Sequence, residues 1–204
     1  MDLIQIKGGN FLEGEISISG SKNASLPMVI ASLLTKDKVI IRNIPNLSDV
    51  STLLELIETL GSEFELKNEN NSSYKLIIQT KKIKNNLASY NLVRKMRASF
   101  WVLAPLILRY GEAKVSLPGG CAIGIRPINF YLSMLEKMGA LITIKDGYVK
   151  ASVRNNLKPI NYKLSFPSVG VTHFFLMMSS LVEGESILRN AAMEPEVISL
   201  AKML

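Results

Sequence analysis

The chain has 204 residues, of which 48% are hydrophobic, enough to build one packed domain or two small ones. Its single cysteine excludes an internal disulfide framework, and no apolar run reaches the roughly 18 residues that a membrane helix needs. Residues 1–5 lack the basic-then-apolar layout of a secretory signal, so we expect a cytoplasmic protein.

The formal net charge is +7, but most of the lysines are dispersed along the chain. The one dense run, Lys81, Lys82 and Lys84, lies in an expected connecting loop and is best explained as solvated surface. Nucleic-acid binding favours basic clusters on one face, often with aromatic residues between them. The charge is therefore better explained by a site for small anions, which basic walls attract over distance.

The sequence repeats a pattern of elements. Apolar helical segments are predicted at residues 24–34, 98–108 and 171–182, and extended runs follow each of them at residues 38–43, 113–117 and 185–190. Arg42-Asn43 recurs as Arg189-Asn190. Because the three first helices are apolar nearly all round, we expect them to be buried and packed together, with the sheets outside.

A second helix is predicted in each copy, at residues 51–60, 128–138 and 196–204. The first two are followed at once by Gly61 and Gly139, the usual helix stop. Each of those two copies then closes with a predicted hairpin. Residues 63–66 pair with 75–79 around a polar loop at 68–73, and residues 141–145 pair with 148–153 across Asp146-Gly147.

The unit is therefore strand, helix, strand, helix, hairpin, and further strands are expected near the start, at residues 3–7 and 15–19. The third copy has no glycine or hairpin after its second helix. We therefore expect a truncation, a fragment, or one product of a split gene.

The segment at residues 117–127 carries the richest chemistry, because three glycines and two prolines surround Cys121. Glycine-rich backbone can approach a ligand closely, and the nearby Arg126 would favour the thiolate. These features favour an accessible, functional cysteine. The alternative is a buried structural thiol, the commonest fate of a free cysteine.

Polar or basic residues also mark the starts of the three first helices. Lys22 and Asn23 would stand at a helix N-terminus, where free amides and the dipole attract a phosphate or carboxylate; simple capping by Ser21 or Asn23 is the alternative. Arg97 opens the second of these helices, where a cation opposes the dipole unless an anionic ligand is bound; simple surface charge is the alternative. Residues 166–170 open the third, so the three starts could converge on one face.

Four segments carry a family resemblance: Ser-Gly-Ser-Lys-Asn at 19–23, Arg-Ala-Ser at 97–99, the cysteine loop at 118–127 and Ser-Val-Gly at 168–170. In this order they resemble the enolpyruvyl transferases of the EPSP synthase family, over the N-terminal half. The cysteine loop is similar to the branch that uses UDP-N-acetylglucosamine, since the shikimate branch shares the lysine segment but lacks this loop.

The resemblance implies an α/β inside-out barrel of repeated strand-helix-strand-helix-hairpin units, with central helices and outer sheets. The units would span about residues 21–85, 86–155 and 156–204, the last incomplete. Residues 1–20 would belong structurally to an absent second domain, which would also supply an aspartate base and further arginines.

The implied reaction moves the enolpyruvyl group from phosphoenolpyruvate to the 3-hydroxyl of UDP-N-acetylglucosamine, the first committed step of peptidoglycan precursor synthesis. It implies no cofactor, no metal, and no nucleic-acid or membrane partner. Cys121 would protonate the methylene carbon, form a covalent adduct and react with the epoxide fosfomycin. Phosphoenolpyruvate would be bound by Lys22, Asn23 and Arg126. The UDP-sugar would be bound by Arg97, Arg126, Pro127, Ile128, Asn129, Phe130, Phe166, Pro167, Ser168, Val169 and Gly170.

Three places depart from the family pattern, and one of them is the stretch Val171-Thr172-His173-Phe174 after Gly170. Asn129 stands where aspartate is usual, and Tyr131 where histidine or a similar residue is common. His173, the only histidine, matches no catalytic position of the family and is interpreted as structural. Because the base would lie in the second domain, we expect the chain alone to be inactive. The alternatives are a non-catalytic UDP-sugar-binding remnant and half of a split enzyme.

Overall fold

The computed structural model describes residues 3–70, 73–119 and 128–204, which fold as a mixed α/β structure. The first group of elements is α1 (Lys22–Ala31, continued by a 3-10 turn at Ser32–Leu34), β1 (Lys38–Pro45), α2 (Ser48–Thr59), β2 (Glu63–Asn70) and β3 (Ser73–Gln79). The second is β4 (Leu87–Ala88), α3 (Tyr90–Val93), a 3-10 helix (Arg97–Val102), α4 (Leu103–Tyr110), β5 (Glu112–Ser116), α5 (Asn129–Met138), β6 (Leu141–Lys145) and β7 (Tyr148–Ser152). The third is β8 (Asn161–Lys163), α6 (Val169–Ser179), β9 (Ile187–Arg189) and α7 (Pro195–Met203).

Each group has its own sheet. The strand orders within the described residues are β1-β3-β2, β4-β5-β7-β6 and β8-β9. Both predicted hairpins are confirmed, with Glu63 opposite Gln79 and Leu141 opposite Ser152. The stretch at 68–73 was predicted as a loop and is strand up to Asn70 and again from Ser73, because pairing of the two strands extends into the polar residues.

The three apolar segments form helices that the rest of the chain covers. In α1, Val29 and Ile30 are fully buried; in the second segment Phe100 and Leu103 are almost completely buried, and in α6 Phe174 is. The second segment begins as a 3-10 helix at Arg97 and becomes α-helical at Leu103. It lies between the other two segments, since Arg97–Val102 packs on α1 and α4 packs on α6. Their burial agrees with the all-round apolar sequence.

The residues repeated in sequence repeat a structural role. Asn43 and Asn190, each following an arginine, both adopt the left-handed conformation, with φ of 57° and 59°. The side chain of Asn43 accepts a hydrogen bond from the amide of Gly20 (3.1 Å), and that of Asn190 donates one to the carbonyl of Leu164 (3.1 Å). Each asparagine side chain therefore links the end of the strand after a first helix to the segment before that helix.

The N-terminal segment is where the sequence prediction was wrong. Strands were expected at residues 3–7 and 15–19, but residues 3–20 form no strand in the structure. Ile4, Phe11 and Ile16 are each more than 80% exposed. In the second and third groups a strand before the first helix pairs in parallel with the strand after it, as β4 does with β5 and β8 with β9. Within the described residues the matching edge of β1 has no such partner, and an extended segment without a partner is not a strand.

Arg109 fastens the end of the first helical segment. Its guanidinium donates to the carbonyls of Leu33 (2.7 Å), Thr35 (2.8 Å) and Lys81 (3.2 Å). Burial lowers the pKa of Arg109 from its usual value. The neighbouring Lys81, Lys82 and Lys84 are exposed on a loop, as predicted. In the part of the chain that the structure describes, no helix is long and apolar enough to cross a membrane.

Candidate functional site

A cleft of about 540 Å³ lies where the starts of α1, the 3-10 helix at Arg97 and α6 meet. The described residues that line it are Lys22, Asn23, Leu26, Asp49, Met96, Arg97, Ala98, Trp101, Tyr131, Phe166, Ser168, Val169, Gly170, Val171, His173 and Glu196. The three helix starts that the repeat predicted to converge therefore face one space.

The α1 side of the cleft is built by the Ser-Gly-Ser-Lys-Asn segment. Ser21 is the N-cap, and its hydroxyl accepts a hydrogen bond from the amide of Ala24 (3.3 Å). The helix therefore begins at Lys22, whose ammonium donates to a carboxylate oxygen of Asp49 (2.8 Å) in the first turn of α2. A Cβ atom at Gly20 would overlap the carbonyl of Asn43, so this close approach requires glycine.

Arg97 supplies the second positive charge of the cleft. It opens the 3-10 helix and is half-buried. Lys22 is ion-paired, but Arg97 makes no salt bridge with the acidic groups of the described residues. A half-buried guanidinium at a helix start is disfavoured by the local backbone dipoles, and an anionic ligand would offset that cost.

The α6 side of the cleft is an aromatic wall. The indole N–H of Trp101 donates to the hydroxyl of Tyr131 (3.3 Å), and the ring of His173 packs edge-on against Trp101 with centroids 5.3 Å apart. A Cβ atom at Gly170 would lie 2.7 Å from the Tyr131 hydroxyl and 3.0 Å from Cζ2 of Trp101. Glycine at the start of α6 is thus needed for these two aromatic rings to occupy the wall.

His173 is completely buried behind this wall. Burial lowers the pKa of its imidazole, and the backbone of Glu196 and the carboxylates of Glu196 and Glu194 offset part of that shift. A buried imidazole packed against an indole is consistent with the structural role expected for it. The position also borders the cleft, which the sequence did not indicate.

The cleft contains about half of the residues predicted for the site. Those that line it are Lys22, Asn23, Arg97, Phe166, Ser168, Val169 and Gly170. Pro167, Ile128, Asn129 and Phe130 are described but do not line it, although the ring of Phe130 packs edge-on against Phe166 with centroids 5.3 Å apart. Cys121, Arg126 and Pro127 lie outside the described residues.

Sequence reasoning missed Asp49, Trp101 and Glu196, which also line the cleft. The second helix was predicted from residue 51, but α2 begins at Ser48, so the sequence prediction left Asp49 outside the helix. A second, more open cleft of about 720 Å³ lies at the C-terminal ends of α4 and α6, and none of the predicted site residues lines it.

The fold is that of the enolpyruvyl transferases. The enolpyruvyl transferase NikO from Streptomyces tendae superposes with a TM-score of 0.80 at 21% identity, over 96% of this chain and 45% of that one. An EPSP synthase from Acinetobacter baumannii superposes with a TM-score of 0.67 at 17% identity, over 91% and 42%. At these identities the likeness concerns the fold alone.

The family follows from the sequence. The family model described as EPSP synthase (3-phosphoshikimate 1-carboxyvinyltransferase) matches residues 6–204, and the chain belongs to this family of transferases. It is 48% identical, over 209 aligned residues, to proteins of Brucella ovis and Brucella canis named UDP-N-acetylglucosamine 1-carboxyvinyltransferase. The alignments cover 100% of the chain and 49% of each relative, so the chain spans about half the length of the curated relatives it matches.

Proposed function

We propose that the cleft binds phosphoenolpyruvate and UDP-N-acetylglucosamine, and that the chain forms the first half of an enzyme that transfers the enolpyruvyl group to the sugar 3-hydroxyl and releases phosphate. The observation that carries the proposal is the convergence of three helix starts, bearing Lys22 and Arg97, on one cleft in a chain of this family. Both substrates are anions, and helix starts with basic side chains favour bound anions.

Phosphoenolpyruvate occupies the α1 side of the cleft in this proposal. Lys22 and Arg126 bind its phosphate, and Asn23 contacts the reaction intermediate. Support comes from the positions of Lys22 and Asn23, which are the first two residues of α1 and both line the cleft. Cys121 donates a proton to the methylene carbon, and the thiolate can form a covalent adduct. The glycines around Cys121 and the nearby Arg126 favour such a reactive thiol.

The UDP-sugar occupies the α6 side. Arg97 binds the diphosphate, and residues 166–170 and 126–130 line the rest of the site. The half-buried Arg97 without a salt bridge in the described residues supports this assignment. A charge-assisted contact to phosphate would supply the missing counter-charge.

The remaining parts of the machinery belong to a second half of about equal length. The curated relatives are about twice as long as this chain, residues 3–20 expose apolar side chains, and one edge of β1 is unpaired within the described residues. We propose that residues 1–20 join the sheets of the second half, that the three groups of elements form an inside-out barrel, and that the second half supplies an aspartate base. The reaction would serve peptidoglycan synthesis in the cytoplasm.

The test measures phosphate release from phosphoenolpyruvate in the presence of UDP-N-acetylglucosamine. The chain alone is expected to show no turnover, because a base must reach the sugar hydroxyl and the site must be closed to water. Adding a separately expressed second half of a relative should produce turnover that Lys22→Met abolishes.

Turnover by the isolated chain would contradict the two-half proposal. UDP-sugar binding without turnover in the mixture would favour the alternative, a non-catalytic binding protein. One observation favours that alternative, namely that few carboxylates are available as a catalytic base. Two acidic side chains line the described cleft, Asp49 and Glu196, and Asp49 is already paired with Lys22.

A further inference from the structure

The ion pair between Lys22 and Asp49 lies inside the cleft. The Lys22 ammonium is 2.8 Å from a carboxylate oxygen of Asp49, and the two side chains are 45% and 34% exposed. Both residues line the cleft. Ion pairs as exposed as this one contribute little to the free energy of folding. Its position therefore needs another explanation than stability.

Asp49 is held by its own helix. It lies in the first turn of α2, where the positive end of the dipole stabilises a carboxylate, and α2 packs against α1. Lys22 reaches it with a flexible four-carbon side chain. Asp49 has the shorter side chain, so Lys22 is the partner that can move further when a ligand binds.

The charges that line the described cleft balance. Lys22 and Arg97 carry positive charge, and Asp49 and Glu196 carry negative charge. An anion that binds Lys22 must separate it from Asp49 or accept repulsion from that carboxylate. A phosphate monoester dianion has about twice the Coulomb attraction to Lys22 that a singly charged carboxylate has, and also about twice the repulsion from Asp49. Removing the charge of Asp49 therefore favours a dianion more than a monoanion.

We propose that Asp49 is an internal counter-ion that occupies Lys22 in the free protein and weakens the binding of anions at this part of the cleft, most of all that of phosphate dianions. The inference rests on the proposed function, because it concerns the residue assigned there to the phosphate of phosphoenolpyruvate. It makes Asp49 a residue that lowers the affinity of this site for anions and need not touch the ligand.

The test uses the 204-residue chain and two probes, inorganic phosphate and acetate, with binding followed by NMR titration. Asp49→Asn is expected to bind phosphate about threefold more tightly, because an exposed pair of this kind no longer has to be broken. It should gain less for acetate, so that the preference for phosphate widens, because the removed carboxylate repels a dianion more strongly than a monoanion. Asp49→Glu restores the charge and should return both affinities toward those of the parent chain.

Two controls separate this effect from net charge and from folding. Glu65→Gln also removes one negative charge from an exposed ion pair, with Lys67 at 3.2 Å, but outside the cleft, and should leave both affinities unchanged. Lys22→Met should weaken phosphate binding in the parent chain and remove the effect of Asp49→Asn.

Weaker phosphate binding by Asp49→Asn would show that Asp49 orients Lys22 for the ligand, and would overturn the counter-ion role. Unchanged affinity, or no phosphate binding by any variant, would overturn it as well. None of these results depends on turnover. Failure of the two-half assay, with a threefold gain in Asp49→Asn, would reject the proposed reaction and leave the counter-ion role in place.

Discussion

Gly170→Ala tests whether the start of α6 is shaped by the aromatic wall. The new Cβ atom would lie 2.7 Å from the Tyr131 hydroxyl and 3.0 Å from Cζ2 of Trp101. Tyr131 has little room to retreat, because it is 6% exposed and its ring packs edge-on against Phe100 and Phe174 at centroid distances of 5.6 and 5.2 Å.

The expected loss of stability follows from three terms. Overpacking a closed site costs about 1–3 kcal/mol. Disturbing the hydrogen bond from Trp101 to Tyr131 adds about 0.5–1.5 kcal/mol. Alanine returns up to about 1 kcal/mol as the better helix former. The free energy of unfolding of Gly170→Ala should therefore fall by about 0.5–3.5 kcal/mol.

The assay is urea unfolding of the parent chain and its variants. Gly8→Ala is the control, because a Cβ atom there meets nothing within 4 Å. In a Tyr131→Phe background the hydroxyl is absent, and Gly170→Ala should cost less than in the parent chain. A Gly170→Ala variant as stable as the parent, or an identical loss in both backgrounds, would refute the proposed role of this glycine.

Four further outcomes are expected. Arg109→Met should lower the free energy of unfolding by about 2–4 kcal/mol, measured by urea unfolding, because three backbone carbonyls lose a charged donor. Burial lowers the pKa of His173 below its unfolded value of 6.5, so the unfolded chain takes up the proton at a higher pH than the folded chain does. The free energy of unfolding should therefore decline as the pH drops below 6.5, and it should decline less in His173→Phe. Thermal unfolding at several pH values measures both. Replacing the exposed Ile16 and Ile18 together by serine should reduce self-association in analytical ultracentrifugation and leave the unfolding midpoint unchanged, but should weaken assembly with the proposed second half. Fosfomycin should add one adduct by intact mass in the reconstituted enzyme, and Cys121→Ser should abolish it; an adduct that survives would disprove the assignment of Cys121.

Local patterns predicted most elements of the fold. The apolar segments and the glycines after the second helices are features of neighbouring residues, and Gly61 and Gly139 adopt φ of 112° and 103° where the helices end. The exact start of α1 was not predictable, because several polar residues of that segment suit an N-cap. The structure selects Ser21.

The strand prediction for the N-terminal segment was wrong because strand formation depends on residues far away in the sequence. The alternation of apolar and polar residues around Ile16 and Ile18 is typical of a strand, but a strand also needs a neighbour for its hydrogen bonds. The periodicity of a sequence does not say whether that neighbour is present. Within the described residues one edge of β1 is unpaired, and the sequence pattern could not show that the neighbouring strand is missing there.

The part of the candidate site that belongs to the sequence repeat was predictable. Equivalence of the three helix starts placed Lys22, Arg97 and Gly170 together, as the cleft shows. Asp49 is 27 residues from Lys22 and has no equivalent in that argument, so their contact is visible only in three dimensions. The same holds for the hydrogen bond between Trp101 and Tyr131, 30 residues apart.

A titration of UDP-N-acetylglucosamine into the isotope-labelled chain tests most directly whether the three helix starts form the proposed substrate site. We expect NMR shift changes at Arg97, Trp101 and residues 166–170, and Arg97→Met should weaken binding about tenfold through loss of a charged hydrogen bond. Shift changes confined to residues 153–159 of the second cleft, or equal affinity in Arg97→Met, would contradict it.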